Sequence, residues 1–184
     1  MNRDSTRIYD ELLVASSATG DRRALALLVA RWHPRLYRFA WRVLRDPERA
    51  KDATQEAWVE ILRNLRGMDD FAAFPAWAFR IVLRRCQRAF AQAPAPSPID
   101  ADEVADADAT REAETTAEVA IVLRAIAALP PAQRAAIALF YGEGLGVGEI
   151  AIACDIPPGT VKTRLMHARQ KVRAILEGKS DGQD

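Results

Sequence analysis

One run, Ala93-Pro94-Ala95-Pro96-Ser97-Pro98, divides this chain in two. No helix can pass through it, because each proline lacks a backbone N–H and drives the preceding residue away from helical geometry. The residues that follow, through Asp108, are rich in Ala and Asp and poor in large apolar groups. Such a stretch cannot offset the entropy of ordering it. The chain is therefore expected to form two small bodies, residues 1–92 and 119–178, with a flexible linker over 93–118 and a disordered tail over 179–184. At about 3.3 Å per extended residue, the stretch from Pro94 to Glu118 could reach roughly 80 Å. Charge follows the same division: 1–92 is net +6, 93–118 is net −7 and 119–184 is net +2. The total of +1 over 184 residues favours no partner by itself, but two basic bodies flank an acidic strap. At 49% hydrophobic, the chain can bury one or two small cores.

The second body carries the sharpest pattern. From Thr160 to Arg173 the charges are Lys162, Arg164, Arg169, Lys171 and Arg173, with His167 able to join them and no acid among them. Val161, Leu165, Ala168, Val172 and Leu176 recur at helical spacing and form the opposite, apolar face. Ahead of this helix, Glu149-Ile150-Ala151 opens a short helix, Asp155 marks a turn, and Pro157-Pro158-Gly159-Thr160 begins the next element. Thr160 is expected to cap it through its hydroxyl. Two short helices about a turn, the second apolar on one side and basic on the other, suit the phosphates and base edges of a DNA groove. An ordinary helical hairpin with a solvated basic face is the alternative.

The first body also reads as helical throughout, so the fold class is all-α. A helix from about Ser5 to Ser16 ends at Gly20-Asp21, which breaks it and caps a second helix. That helix presents Leu25, Leu28, Val29, Trp32, Leu36, Phe39, Ala40 and Val43 inward. Asp46-Pro47 turns the chain into a third helix, from Glu48 to Leu65, burying Ala50, Ala53 or Thr54, Ala57, Trp58 and Ile61. A loop over Arg66–Phe74 leads to a fourth helix beginning near Pro75. It turns Trp77, Ile81 and Val82 inward and Arg80, Arg84, Arg85 and Arg88 outward.

No segment has the length of a membrane span, and the charged N-terminus has no secretory core. A cytoplasmic location without membrane insertion is expected. Cys86 and Cys154 stand apart, with no CxxC and no histidine cluster, and read as reduced thiols packed in helices rather than metal ligands. No phosphate-cradling loop, HExxH or GxSxG occurs, so neither an enzyme, a metal nor a cofactor is expected.

Several motifs in order resemble bacterial sigma factors. Leu36-Tyr37-Arg38-Phe39-Ala40, Asp46-Pro47-Glu48, Asp52-Ala53-Thr54-Gln55-Glu56 and Ala76-Trp77-Ala78-Phe79-Arg80-Ile81 resemble sigma region 2. Leu129-Pro130-Pro131-Ala132-Gln133-Arg134, Glu149-Ile150-Ala151 and Gly159-Thr160-Val161-Lys162-Thr163-Arg164-Leu165 resemble region 4. Two regions and a short tether resemble the extracytoplasmic-function (ECF) group in particular. The resemblance implies a region 2 bundle and a region 4 helix-turn-helix domain. It implies binding to core RNA polymerase, through Asp52, Gln55 and Glu56, and delivery to promoter DNA with help in melting the −10 element. Where a base leaves the stack, an aromatic pocket and nearby cations are needed. Phe71, Phe74 and Trp77 are the apolar candidates there, Trp77 being equally readable as core, and Arg80, Arg84 and Arg85 are the phosphate candidates. Thr160, Lys162, Thr163, Arg164 and His167 would read the −35 element.

Departures from the family pattern bear on control. Arg49 and Lys51 stand where acids are common, and Ala53 and Thr54 where apolar residues are. A phosphate on Thr54 would restore about −1.5 to −2 charges to a polymerase-facing helix. Control is therefore expected either from a Ser/Thr kinase acting at Thr54 or from an anti-sigma factor that masks the chain. Arg84 stands at a common Asn and His167 at a common Arg, which alters the expected −10 and −35 preferences. Asp155 replaces a turn glycine, which an aspartate tolerates at positive φ. Two other roles are compatible with the pattern: an adaptor that mimics a sigma factor to sequester an anti-sigma factor, and a helix-turn-helix repressor.

Overall fold

The structure is a computed structural model and describes residues 3–92 and 117–180. The acidic strap expected to be a flexible linker lies almost wholly outside the described residues, as does the end of the tail. Among the described residues the fold is helical, with no strand. The elements are α1 (Arg3–Ala18), α2 (Arg22–Leu44), α3 (Pro47–Asn64), α4 (Phe74–Gln92), α5 (Ala117–Ala127), α6 (Pro131–Ile137), α7 (Val147–Cys154) and α8 (Pro158–Ser180).

Local chemistry explains the helix boundaries of the first body. Gly20 takes a φ of +99°, a conformation that suits glycine. Asp21 then caps α2, its carboxylate accepting from the N–H groups of Arg23 and Ala24. Asp46 does the same for α3 by accepting from Arg49 N–H at 3.0 Å, with Pro47 in the first turn, where a missing N–H costs nothing. Pro34 lies inside α2 without ending it. Trp32 and Leu36 on either side of it are fully buried, so packing holds the helix through the lost hydrogen bond.

Aromatic packing joins α2 to α4. The Trp32 ring meets Phe74 edge-on at 4.9 Å and Phe79 at 5.9 Å, and Phe39 meets Phe79 edge-on at 5.1 Å. Such offset contacts suit ring quadrupoles and add to area burial. α3 closes the bundle with Ala50, Ala53, Thr54, Ala57, Trp58 and Ile61, all buried. Between α3 and α4 the chain makes two short 3-10 turns, Leu65–Gly67 and Phe71–Ala73, where a plain loop is expected.

In the second body, α8 packs against α5, α6 and α7. Leu129, Leu139, Ile150, Val161, Leu165 and Ala168 fill its centre. α6 widens into a π turn over Ala138–Gly142 before the chain reverses. α7 also packs on α4, and α6 on α2, so the two apolar cores are continuous.

Trp32 is the largest wholly buried side chain, and its ring contacts seat α4 on α2. Trp32→Ala should cost about 3–5 kcal/mol, read as a lower midpoint in urea unfolding followed by helical circular dichroism.

Candidate nucleic-acid interface

The basic face expected on the last helix is present on α8. Lys162, Thr163 and His167 are exposed, while Thr160 and Arg164 are half-buried at the same end. Val161, Leu165 and Ala168 are buried on the other side. The turn before α8 holds Asp155 at φ 55° and ψ 49°, the left-handed geometry expected of an Asx residue there. The Ile156 N–H closes it by donating to the Ala151 carbonyl at 3.1 Å. One expectation needs correction. Thr160 does not cap α8: the helix begins at Pro158, and the Thr160 and Val161 N–H groups donate to the Pro157 carbonyl at 2.9 and 3.2 Å. A proline in the first helical position starts the turn earlier than the threonine suggests. Glycine at 146 has no side chain to cap α7, and the Glu149 carboxylate reaches back to its N–H at 2.7 Å instead.

Arg169 of α8 is exposed but engaged within the second body. It lies 5.6 and 5.8 Å from the Phe140 and Tyr141 ring centres and donates Nε to the Tyr141 hydroxyl at 3.0 Å. Cation–π attraction and this hydrogen bond hold it over the π turn.

On α4 the expected aromatic pocket divides. Phe74 is 1% exposed and seated edge-on against Trp32, so it belongs to the core and cannot receive a base. Phe71 and Trp77 remain half-buried and reachable. Phe71 lines an open groove with Ile8 and Leu12 of α1 and with Asp69 and Asp70. The contribution of α1 has no signal in the motif pattern, because only the packing of the bundle brings the start of the chain to this groove.

The three phosphate candidates of α4, Arg80, Arg84 and Arg85, are already paired. Arg85 meets Glu60 at 2.6 Å and Glu56 at 3.1 Å, and Arg84 meets Glu60. Burial alone would raise the Glu60 carboxyl, but its hydrogen bonds and charge contacts with Arg84 and Arg85 hold it below the usual carboxylate range. Arg80 pairs with Asp155 of the second body at 3.0 Å. A phosphate reaching these arginines would displace carboxylates rather than meet free cations.

On α3, Asp52, Gln55 and Glu56 are exposed, as a partner-facing surface requires. Val59 and Leu62 continue that face, 48% and 45% exposed. They are absent from the motif reading, although the spacing 52, 55, 59, 62 is the helical signal that places them. The reversed charges are held locally, Arg49 by Asp46 at 3.3 Å and Lys51 by Glu48 at 4.0 Å. Thr54 is on the other side of the helix. It is 0% exposed, and its hydroxyl donates to the Ala50 carbonyl at 2.7 Å. A kinase cannot reach that oxygen while α3 is seated.

The two cysteines are buried in α4 and α7. Burial pushes the Cys86 thiol up to about 12 and the Cys154 thiol up to about 11, the latter against the opposing charge of Arg164. Neither supplies a thiolate near neutral pH.

Comparison with known proteins agrees with this layout. Sigma-70 region 2 matches residues 28–94, and Sigma-70 region 4 matches residues 120–172. The ECF RNA polymerase sigma factor SigM of Mycobacterium tuberculosis is 33% identical over 167 residues, covering 91% of this chain and 84% of SigM. This chain is an ECF sigma factor. Among solved structures it is similar to CnrH in complex with the cytosolic domain of CnrY, with a TM-score of 0.69 and 25% identity over 92% of this chain and 98% of that one. It shares its fold with the sigma factor RpoE of Bartonella quintana, solved in complex with the anti-sigma factor NepR, at a TM-score of 0.64 and 18% identity over 83% and 96% of the two chains. Among the described residues of this sigma factor, no helix is long and apolar enough to cross a membrane.

Thr54→Glu should not act as a phosphate mimic in this sigma factor. It buries a carboxylate without a partner and should cost about 3–5 kcal/mol, whereas Thr54→Val keeps the volume and should cost about 1 kcal/mol. Urea unfolding of both variants checks this, and a Thr54→Glu protein as stable as the parent would mean that the side chain reaches solvent.

Proposed function

We propose that this sigma factor recruits core RNA polymerase through the exposed face of α3 and places it on promoters read at two points. The observation that carries this reading is the separation of an acidic and apolar exposed face from the aromatic and basic ones. Asp52, Gln55, Glu56, Val59 and Leu62 line one face of α3, whereas the Phe71–Arg80 segment and the N-terminal half of α8 carry aromatic and basic groups elsewhere. Phe71 and Trp77 receive an unstacked −10 base, and Arg80, Arg84 and Arg85 supply phosphate contacts once their carboxylates let go. Thr160, Lys162, Thr163, Arg164 and His167 read the −35 element, since helix-turn-helix proteins meet base edges near the start of the second helix. Polymerase performs the chemistry, and this chain contributes no catalytic group. Its place of action is the cytoplasm, where polymerase and promoters are.

Residues 1–92 and 119–178 are the working bodies of this reading. An anti-sigma factor is the regulator we assign. A sigma factor of the same fold was solved with a bound anti-sigma factor, and the buried Thr54 hydroxyl argues against control by a kinase at that position. The sequestering adaptor and the repressor both predict a chain that ignores core polymerase.

Capture of core polymerase by the full chain tests the reading directly. Wild type should bind, and Asp52→Lys should weaken binding about tenfold, equivalent to about 1.4 kcal/mol. A wild-type chain that fails to bind core polymerase overturns the assignment. On duplex −35 DNA, Lys162→Ala should weaken binding evenly across sequences and lower the salt slope by about 1. Arg164→Ala should instead relax base preference. Titrations at several salt concentrations separate the two.

A further inference from the structure

The outward face of α8 is not uniformly basic. Val161, Leu165 and Ala168 are buried and fix which side of the helix points into the second body. At about 100° per residue, Gly159, Thr163, Met166 and Gln170 face away from that stripe. All four are exposed, and a side chain added at Gly159 would meet open space. Met166, 46% exposed, is the large apolar side chain of this strip. The Thr163 hydroxyl donates to the Gly159 carbonyl of its own helix at 3.1 Å. It therefore has no proton to give a base edge, and the threonine methyl is left as the contact group. The middle of the outward face is apolar from Thr163 to Met166, with Lys162 on one side of it and Arg164 on the other.

Base pairs show the major groove a pattern of donors and acceptors, and thymine adds the one apolar group, its C5-methyl. A thioether has no proton to donate and is a weak acceptor, so it gains little from a polar base edge. Against a methyl it loses water and gains apolar contact. Threonine methyls and apolar side chains are the groups that meet thymine in this way. Thr163 and Met166 are three residues apart, about 4.5 Å along the helix. That separation is close to the 3.4 Å step of B-DNA, so both can bear on neighbouring base pairs. Met166 follows Pro158 by eight residues, about 12 Å from the start of α8. It therefore lies in the N-terminal half of the helix, where helix-turn-helix proteins touch bases. A search for cations along the helix passes over it.

We propose that Met166 is a specificity-determining residue of this sigma factor and reads a thymine in the −35 element through its C5-methyl. The Thr163 methyl lies beside it, and Lys162 and Arg164 supply the charged contacts on either side. Cytosine at that position offers an amino group and no methyl, so it leaves the thioether without a partner. This inference deepens the −35 role proposed for α8 and rests on it.

Selection by the full chain with core polymerase, from duplexes randomised over the −35 element, tests this. Wild type should enrich a thymine at one fixed position. Replacing that thymine with uracil removes only the methyl and should weaken binding about fourfold. Met166→Ala should lose both the thymine preference and the uracil effect while keeping its helical circular dichroism. Met166→Leu, which restores an apolar side chain of similar size, should keep both. Enriched duplexes that bind wild type equally with thymine or uracil at every position overturn the proposal and leave the −35 role of α8 standing. A Met166→Ala chain that retains the fourfold ratio overturns it as well, since another group then reads the methyl. A wild-type chain that enriches no sequence overturns the −35 role itself, and the proposal with it.

Discussion

The edge-on packing of Trp32 against Phe74 and Phe79 is the contact on which the rest of this molecule depends. It fixes α4 on α2, and α4 is the helix that everything else uses. α3 seats its acids against α4 from one side, and α7 lies along it from another. Because aromatic rings pack as rigid plates with preferred angles, the position of α4 is set to a degree that aliphatic contacts alone would not enforce. Phe74 is therefore committed to the core, and the half-buried Phe71 and Trp77 are left at its margin to face outward.

Charge pairing then joins surfaces with different partners. Glu60 holds both Arg84 and Arg85, and Arg85 also reaches Glu56 beside the exposed Asp52 and Gln55. These carboxylates keep Arg84 and Arg85 occupied. The more exposed of these pairs, Arg84–Glu60 and Arg85–Glu56, contribute little to stability, about 0–1 kcal/mol each, so exchanging a carboxylate for a phosphate there is inexpensive. The contact at Glu56 brings α3 and α4, the helices proposed to meet polymerase and promoter, into one network.

The helical layout was largely legible in the chain. Apolar spacing marks α2, α3, α4 and α8, and Asp21, Asp46 and Asp155 take the capping or turn roles that short polar side chains suggest. The motif resemblance carried further than any single helix, because ordered motifs report a whole fold. Particular side chains were less legible. At Thr54 the choice between core and surface turns on one step of about 100° around α3; the sequence left Ala53 or Thr54 open as the inward residue, and packing buries both. Phe74 and Phe71 look alike in sequence, yet only one lies against Trp32. Thr160 has the chemistry of a cap, but Pro158 begins the helix two residues sooner.

From the sequence alone came the division into two helical bodies, their basic surfaces, and membership of a family that works with polymerase and promoters. Periodicity, capping chemistry and proline geometry act over a few residues, so they can be read along the chain. Tertiary structure alone decided which arginines are free, which aromatics are reachable, and that α7 lies over α4. Those outcomes depend on contacts between residues such as Arg134 and Val43, 91 positions apart. No local pattern encodes such a meeting, because it exists only after the packing of both bodies has brought the groups together.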